Sequence, residues 1–185
     1  MNLERAMREF EAYLDGYDRE DEKIKLKIVH TYGVVACSRE IAERMGLPRE
    51  ERELAQLIAL LHDIGRFEQL KRYDSFLPDT MDHAAYGVRI LFEEGMIRRF
   101  LPEACKEEVI IRTAIAKHSD YRLEGVTDER TLLHARLIRD ADKLDNCRVK
   151  LEESVEVLLG VSAAGAGKAR ISEAVRQSCL KEEPV

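Results

Sequence analysis

Apolar residues recur at three- and four-residue spacing along almost the whole chain, the pattern of amphipathic helices. Leu3, Met7, Phe10 and Leu14 mark the first, over residues 3–15. Ile24, Ile28, Val34, Val35, Ile41 and Met45 mark a second, with His30 inside it and Gly46 as its stop. Pro48 suits the first turn of a third, which runs through Leu54, Leu57, Ile58 and Leu61 to His62 and Asp63, where Gly65 lets it end. Arg66 to Met81 reads as a loop around Asp74, Pro78 and Asp79. Asp82 is an N-cap for a helix through His83, Gly87, Leu91 and Phe92, closed by Gly95. Pro102 opens another, through Val109, Ile110 and Ile115 to His118. After a loop at 119–127, Thr127 or Asp128 caps a helix carrying Leu133, Leu137, Ile138, Ala141 and Leu144, and a continuous or kinked extension reaches Leu159. Gly160 to Gly167 is a small-residue break, and 170–180 reads as a last short helix. No segment alternates with period two. The expected fold is all-α: one domain over 1–185, with its core at 20–160, a C-terminal helical extension at 161–185, and the 160–169 stretch as the one plausible internal boundary.

Composition narrows the setting. A chain of 185 residues that is 45% hydrophobic is large enough for one sizeable core. Charged residues reach 36%, as long solvated helix faces require. The net charge of −6 disfavours nucleic-acid and membrane-surface binding, because the long-range field repels phosphates. An anionic substrate must therefore be drawn by local positive charge. The four cysteines, Cys37, Cys105, Cys147 and Cys179, are scattered and read as reduced thiols. The charged start, Met1-Asn2-Leu3-Glu4-Arg5, lacks the apolar stretch of a signal peptide, and no run approaches the length of a membrane span. The expected location is the cytoplasm.

Five histidines remain to be placed: His30 within a helix, His62 and His118 at helix ends, His83 at a helix start, and His134. Asp63 follows His62, and Asp142 lies in Arg139-Asp140-Ala141-Asp142-Lys143-Leu144-Asp145. Strong apolar faces force these helices together, so their polar ends can converge. Imidazole and carboxylate suit Mn, Fe, Co, Ni or Zn better than soft cations. His62 and Asp63 point about 100° apart on a regular helix and share one ion only if the helix bends there. The two oxygens of Asp63 allow it to bridge two ions. Any one histidine alone is more often a satisfied core or surface residue than a ligand. Here a buried pair of ionisable groups after Leu57-Ile58-Ala59-Leu60-Leu61 needs partners.

His30, the His62-Asp63 pair within Leu60-Leu61-His62-Asp63-Ile64-Gly65-Arg66, and Asp142 after Ala141 resemble the HD superfamily of metal-dependent phosphohydrolases. The resemblance spans residues 24–150. It implies an HD-domain helical bundle with one or two divalent ions at its centre (Mn, Fe, Co, Ni, Zn or Mg). One ion would be held by His30, His62, Asp63 and Asp142, and a second by bridging Asp63, His83 and His118. Alternatively, a single ion is bound and His83 and His118 hold the substrate phosphate. His134 has no counterpart and reads as structural or exposed.

Other residues keep two readings. Arg66 is a phosphate clamp or a solvated loop arginine. Lys143 and Arg139 touch substrate or pair with nearby acids. Asp145 orients His30 or His62 from behind, or caps elsewhere. Lys117, Glu68 and Gln69 line the pocket or belong to the surface. Gly165-Ala166-Gly167-Lys168 lacks the spacing of a phosphate loop and reads as a turn. Lys23, Lys25 and Lys27 read as a solvated face. The leading expectation is hydrolysis of a nucleotide or other small phosphate ester, with Asp63, Arg66 and Lys143 in the reaction. Cyclic-diguanylate hydrolysis is disfavoured, because the Gly-Tyr-Pro signature and paired histidines of that branch are missing. A di-iron oxygenase of the same fold, an HD-type nuclease and a non-catalytic signalling module are the alternatives. The partner is a small phosphorylated substrate, and a homo-oligomer stays open.

Overall fold

Short polar side chains start many of the helices in the computed structural model, which describes residues 1–183. Asn2 accepts from the Arg5 amide and starts α1, Leu3–Leu14. Asp21 accepts from the amides of Lys23 and Ile24 and starts α2, Glu22–Arg44. Asp82 accepts from the Ala85 amide at the head of α5, His83–Val88. Asp128 accepts from the Thr131 amide at 2.8 Å and starts α8, Glu129–Glu152. Each cap satisfies amides that the helix itself leaves free. Between them lie α3, Arg49–Leu61; α4, Ile64–Tyr73; a π-helical turn, Arg89–Glu93, continuing α5; α6, Ile97–Phe100; and α7, Glu108–Lys117. Among the described residues there is no strand, and the fold class is all-α. No helix among them is long and apolar enough to cross a membrane.

The chain divides into two compact units, Met1–Glu152 and the segment beginning at Glu153. In the first, α2 packs along both α3 and α8, and α8 also packs on α7. Phe10, Leu14, Val34, Leu57, Ile58, Leu61, Phe67, Phe100, Ile111 and Ile138 fill the interior. Phe10 and Phe67 meet edge to face with centroids 5.9 Å apart. Fully burying such a side chain contributes roughly 1.5–3 kcal/mol, and this apolar packing fixes how the helices cross. The second unit holds α9, Val155–Leu159; α10, Ala163–Ala166; and α11, Glu173–Leu180, capped by Ser154, Ser162 and Ser172. No side chain of α10 or α11 is buried.

Several local expectations are corrected. Residues 66–73 are helical, not loop: Ile64, Phe67 and Leu70 recur at threefold spacing and are buried, so α4 belongs to the core. Only residues 74–82 form a loop, after Asp74 takes a left-handed conformation (φ 48°) that ends α4. Gly65 does not release a helix but lies in the first turn of α4. A Cβ there would stand 2.3 Å from the His83 carbonyl oxygen and 2.7 Å from the Gly87 amide, so α4 and α5 cross through backbone contact. Pro102 does not open α7. The helix starts at Glu108, whose carboxylate accepts from the Cys105 amide at 3.1 Å and from Arg98. The last long helix stops at Glu152, and Ser154 starts a separate one. The last two residues of the expected C-terminal extension lie outside the described residues.

Candidate metal centre

The centre is built where α3 stops. Asp63 leaves helical geometry (φ −106°, ψ 19°), and α4 starts at the next residue. An aspartate in this position ordinarily accepts from amides of its own helix. Asp63 makes no such bond, and its carboxylate turns inward instead. The break also lets His62 and Asp63 face one point, with His62 Nε2 lying 3.6 Å from Asp63 Oδ2.

Three histidines are oriented from behind. His30 Nδ1 donates to Asp145 Oδ2 at 2.7 Å, His62 Nδ1 to the Ala59 carbonyl at 2.7 Å, and His118 Nδ1 to the Ile115 carbonyl at 2.7 Å. An acceptor on Nδ1 places the ring proton there and leaves Nε2 as a lone pair. All three lone pairs point into one space. His30 Nε2 lies 3.1 Å from Asp142 Oδ1, and His62 Nε2 lies 3.8 Å from the same oxygen. His118 Nε2 and His83 Nε2 lie 3.4 and 3.2 Å from Asp63 Oδ1 and 3.1 Å from each other.

Ligand atoms of His30, His62 and Asp63 lie within 4.8 Å of one another, as do those of Asp63, His83 and His118. The two sets share Asp63. Ligands about 2.1 Å from one ion stand roughly 3 Å apart at right angles, so the observed spacings fit. The donors fit as well. His62 Nε2 and Asp63 Oδ1 are buried without a hydrogen-bond partner, a costly state for a lone pair and a charge unless a cation joins them. Both sets are therefore suited to hold divalent metal.

The electrostatics keep the donors in ligand form. Burial pushes His62 down to about 3 against the pull of Asp63, so its ring stays neutral. Burial also lowers His83, again opposed by Asp63. Burial disfavours the charge on Asp63, but Lys27 and the surrounding imidazoles of His62, His118 and His83 outweigh it and hold the carboxyl well below its usual range. At Asp142, burial is outweighed by the close imidazoles of His30 and His62, with the same result.

The other candidates separate. Asp145 orients His30 and not His62. It is held by Arg148 at 2.8 and 3.0 Å, and it lies so close to α2 that a Cβ on Gly33 would stand 2.0 Å from it. Arg66 is no solvated loop residue: it donates to His83 Nε2 at 2.9 Å, to Gln69 Oε1 at 2.5 Å and to the Phe76 carbonyl at 3.2 Å. Its Nε is 3.9 Å from Asp63 Oδ1. Gln69 is fully buried and holds the 74–82 loop through the Leu77 carbonyl and Thr80 Oγ1. Lys143 lies at the edge, 67% exposed and 3.6 Å from Asp142 Oδ2. Arg139 donates to the Tyr121 carbonyl, Lys117 pairs with Asp120, and Glu68 pairs with Arg72. His134 is buried against Glu51. Gly165 lies in the single turn α10.

Three residues at the centre escape sequence reasoning. Asn146 donates to Asp142 Oδ1 at 2.9 Å, and its signal is its fourfold spacing from Asp142. Arg148 has the same kind of signal, three residues after Asp145. Lys27 contradicts the reading of a solvated face. It is buried and donates to Asp63 Oδ2 at 2.5 Å. Its signal is its position three residues before His30, on the same side of α2.

Comparison with curated proteins and with solved structures finds no match. A family model described as HD domain matches residues 28–147, which contain both ligand sets. The chain thus belongs to the HD domain family, a superfamily of metal-dependent hydrolases.

Proposed function

We propose that the chain hydrolyses a phosphate ester of a small molecule, a nucleotide or another phosphorylated metabolite, at the His-Asp centre. The observation that carries this reading is the pair of buried ligand sets sharing Asp63. A divalent ion held there supplies Lewis acidity toward phosphoryl oxygens and toward water. His30, His62, Asp63 and Asp142 are assigned to one ion, and Asp63, His83 and His118 to a second. Asp145 and the Ala59 and Ile115 carbonyls fix the imidazoles of His30, His62 and His118, so none of these three rings has to reorient during the reaction. Asp142 is kept ionised, and Asn146 holds it in place. Arg66 stands beside His83 with a permanent positive charge for the phosphate, and Lys143 reaches the same region from the exposed rim. The net charge of −6 favours a small anion over a polyanion, which sets a nuclease aside. Four free cysteines suit a reducing compartment, and we place the chain in the cytoplasm.

The test is to load the purified chain with Mn, Co, Ni or Mg and to measure phosphate release from an aryl phosphate and from a panel of phosphorylated metabolites. Release that needs the metal and vanishes in Asp63→Ala supports the reading. No release with any metal, or release unchanged in Asp63→Ala, overturns it. The shared carboxylate also suits a di-iron oxygenase. Oxygen uptake by the iron-loaded chain, with no phosphate release, would favour that second reading.

A further inference from the structure

Among the described residues, Lys27 is the one buried ammonium at the centre, with its side chain 10% exposed. It comes from α2, one turn before His30, so the same stretch of helix supplies a metal-ligand candidate and a cation. Its Nζ donates to Asp63 Oδ2 and makes no other hydrogen bond among the described residues, though an ammonium carries three donors. The ring of Phe76, with its centroid 6.0 Å away, closes one side.

A bond to Asp63 suffices for an ammonium only while Asp63 has charge to spare. Once the oxygens of Asp63 serve an ion, a neighbouring ammonium is repelled by that ion and loses much of its acceptor. It must then find another anion or leave a buried site, and burying an unpaired charge is costly. Charge balance points to what that anion is. Arg148 neutralises Asp145. A single divalent ion is cancelled by Asp63 and Asp142. The cationic side chains left without an acid of their own at the centre are then Lys27 and Arg66, which approach Asp63 at opposite oxygens, Oδ2 and Oδ1. A group with several anionic oxygens satisfies both cations together, and four rotatable bonds let the lysine follow it.

We propose that Lys27 donates to a non-bridging oxygen of the substrate's phosphate, on the side of Asp63 opposite Arg66. The inference rests on the phosphohydrolase reading and names a binding residue for it. It differs from a role in folding alone, in which Lys27 would only offset the charge of Asp63 before metal arrives.

The experiment is calorimetric titration of inorganic phosphate, the product common to phosphomonoesters, into the metal-loaded full chain. Wild type, Lys27→Met and Lys27→Arg are compared, with metal content and thermal midpoint measured for each. Losing one charge-assisted hydrogen bond weakens phosphate binding by about tenfold to a hundredfold in Lys27→Met. Lys27→Arg keeps most of the affinity, and both variants keep their metal. Equal phosphate affinity in wild type and Lys27→Met overturns the inference and leaves the phosphohydrolase reading standing. Loss of metal or of folding in Lys27→Met, with Lys27→Arg binding phosphate no better than it, assigns Lys27 to holding Asp63 and overturns the inference too. No phosphate binding by metal-loaded wild type overturns the inference together with the reading beneath it.

Discussion

Two corners of the bundle bury histidine, and they treat it in opposite ways. At His134, Nε2 meets Glu51 Oε2 at 2.7 Å, and Arg130 binds Glu51 at 2.9 Å and Glu107 at 3.1 Å. Its Nδ1 lacks a hydrogen-bond partner, but no ligand set among the described residues includes it. At the centre, the outward nitrogens of His30, His62 and His118 are spent on acceptors, and the inward ones face each other and two carboxylates. The difference teaches that burial does not mark a functional histidine. Several lone pairs aimed at one point do, because only a cation relieves them.

The sharpest way to break this contrast is to replace one side chain at each corner. Asp63→Ala should lose the metal and lower phosphate release by about a thousandfold or more, since an ion supplies several kcal/mol of stabilisation to the reaction. His134→Gln should leave metal content unchanged; equal metal loss in both variants would erase the distinction. Next in size is Asp145→Asn, which weakens the acceptor that orients His30. Metal affinity should fall by about 10- to 100-fold with little change in melting temperature of the metal-free chain, and unaltered affinity would remove Asp145 from the centre. Gly65→Ala forces α4 and α5 apart at the His83 carbonyl. Urea denaturation should show a loss of about 1–3 kcal/mol, and the ion assigned to His83 and His118 should weaken more than its neighbour. The smallest effect is Glu51→Gln, at about 1 kcal/mol, because the pair is partly solvated.

Acid separates the corners less than mutation does, because burial lowers both His62 and His134. An unfolded histidine takes up a proton near its ordinary 6.5, which the folded one refuses. Stability of the metal-free chain therefore falls as pH drops below that value, down to about 3 for His62. At Glu51, burial opposes the charge, but Arg130 and His134 outweigh it and lower its pKa. Its contribution is present above the ordinary 4.5 and is lost as pH falls through the lowered value. In His134→Gln the urea midpoint should drop less between pH 7 and pH 5 than in wild type. An equal drop would show that His134 takes no part.

Much of this was legible in the sequence because chemistry and periodicity coincided. His30, His62, Asp63, His83, His118 and Asp142 fall at ends or inner faces of helices whose apolar stripes force them inward, and the structure brings all six together. The rest required tertiary contacts. Lys27 follows Lys23 and Lys25 in an alternating charged run that resembles a solvent face, and only the placement of Asp63 after the break in α3 makes it an inner residue. The Arg66–Tyr73 stretch is rich in charge, which hid the Ile64, Phe67 and Leu70 stripe. Gly65 looked like a terminator because its neighbour across the bundle, Gly87, is 22 positions away in the chain.

The candidate ligands come from α2, the α3–α4 junction, α5, α7 and α8, and His30 and Asp142 alone are separated by 112 positions. An ion in that space would join distant stretches of the chain that no disulfide cross-links. Metal concentration then becomes a variable of folding: each tenfold rise above the dissociation constant adds about 1.4 kcal/mol per ion to the native state. A cell that withholds metal from this protein would lower the survival of its folded state.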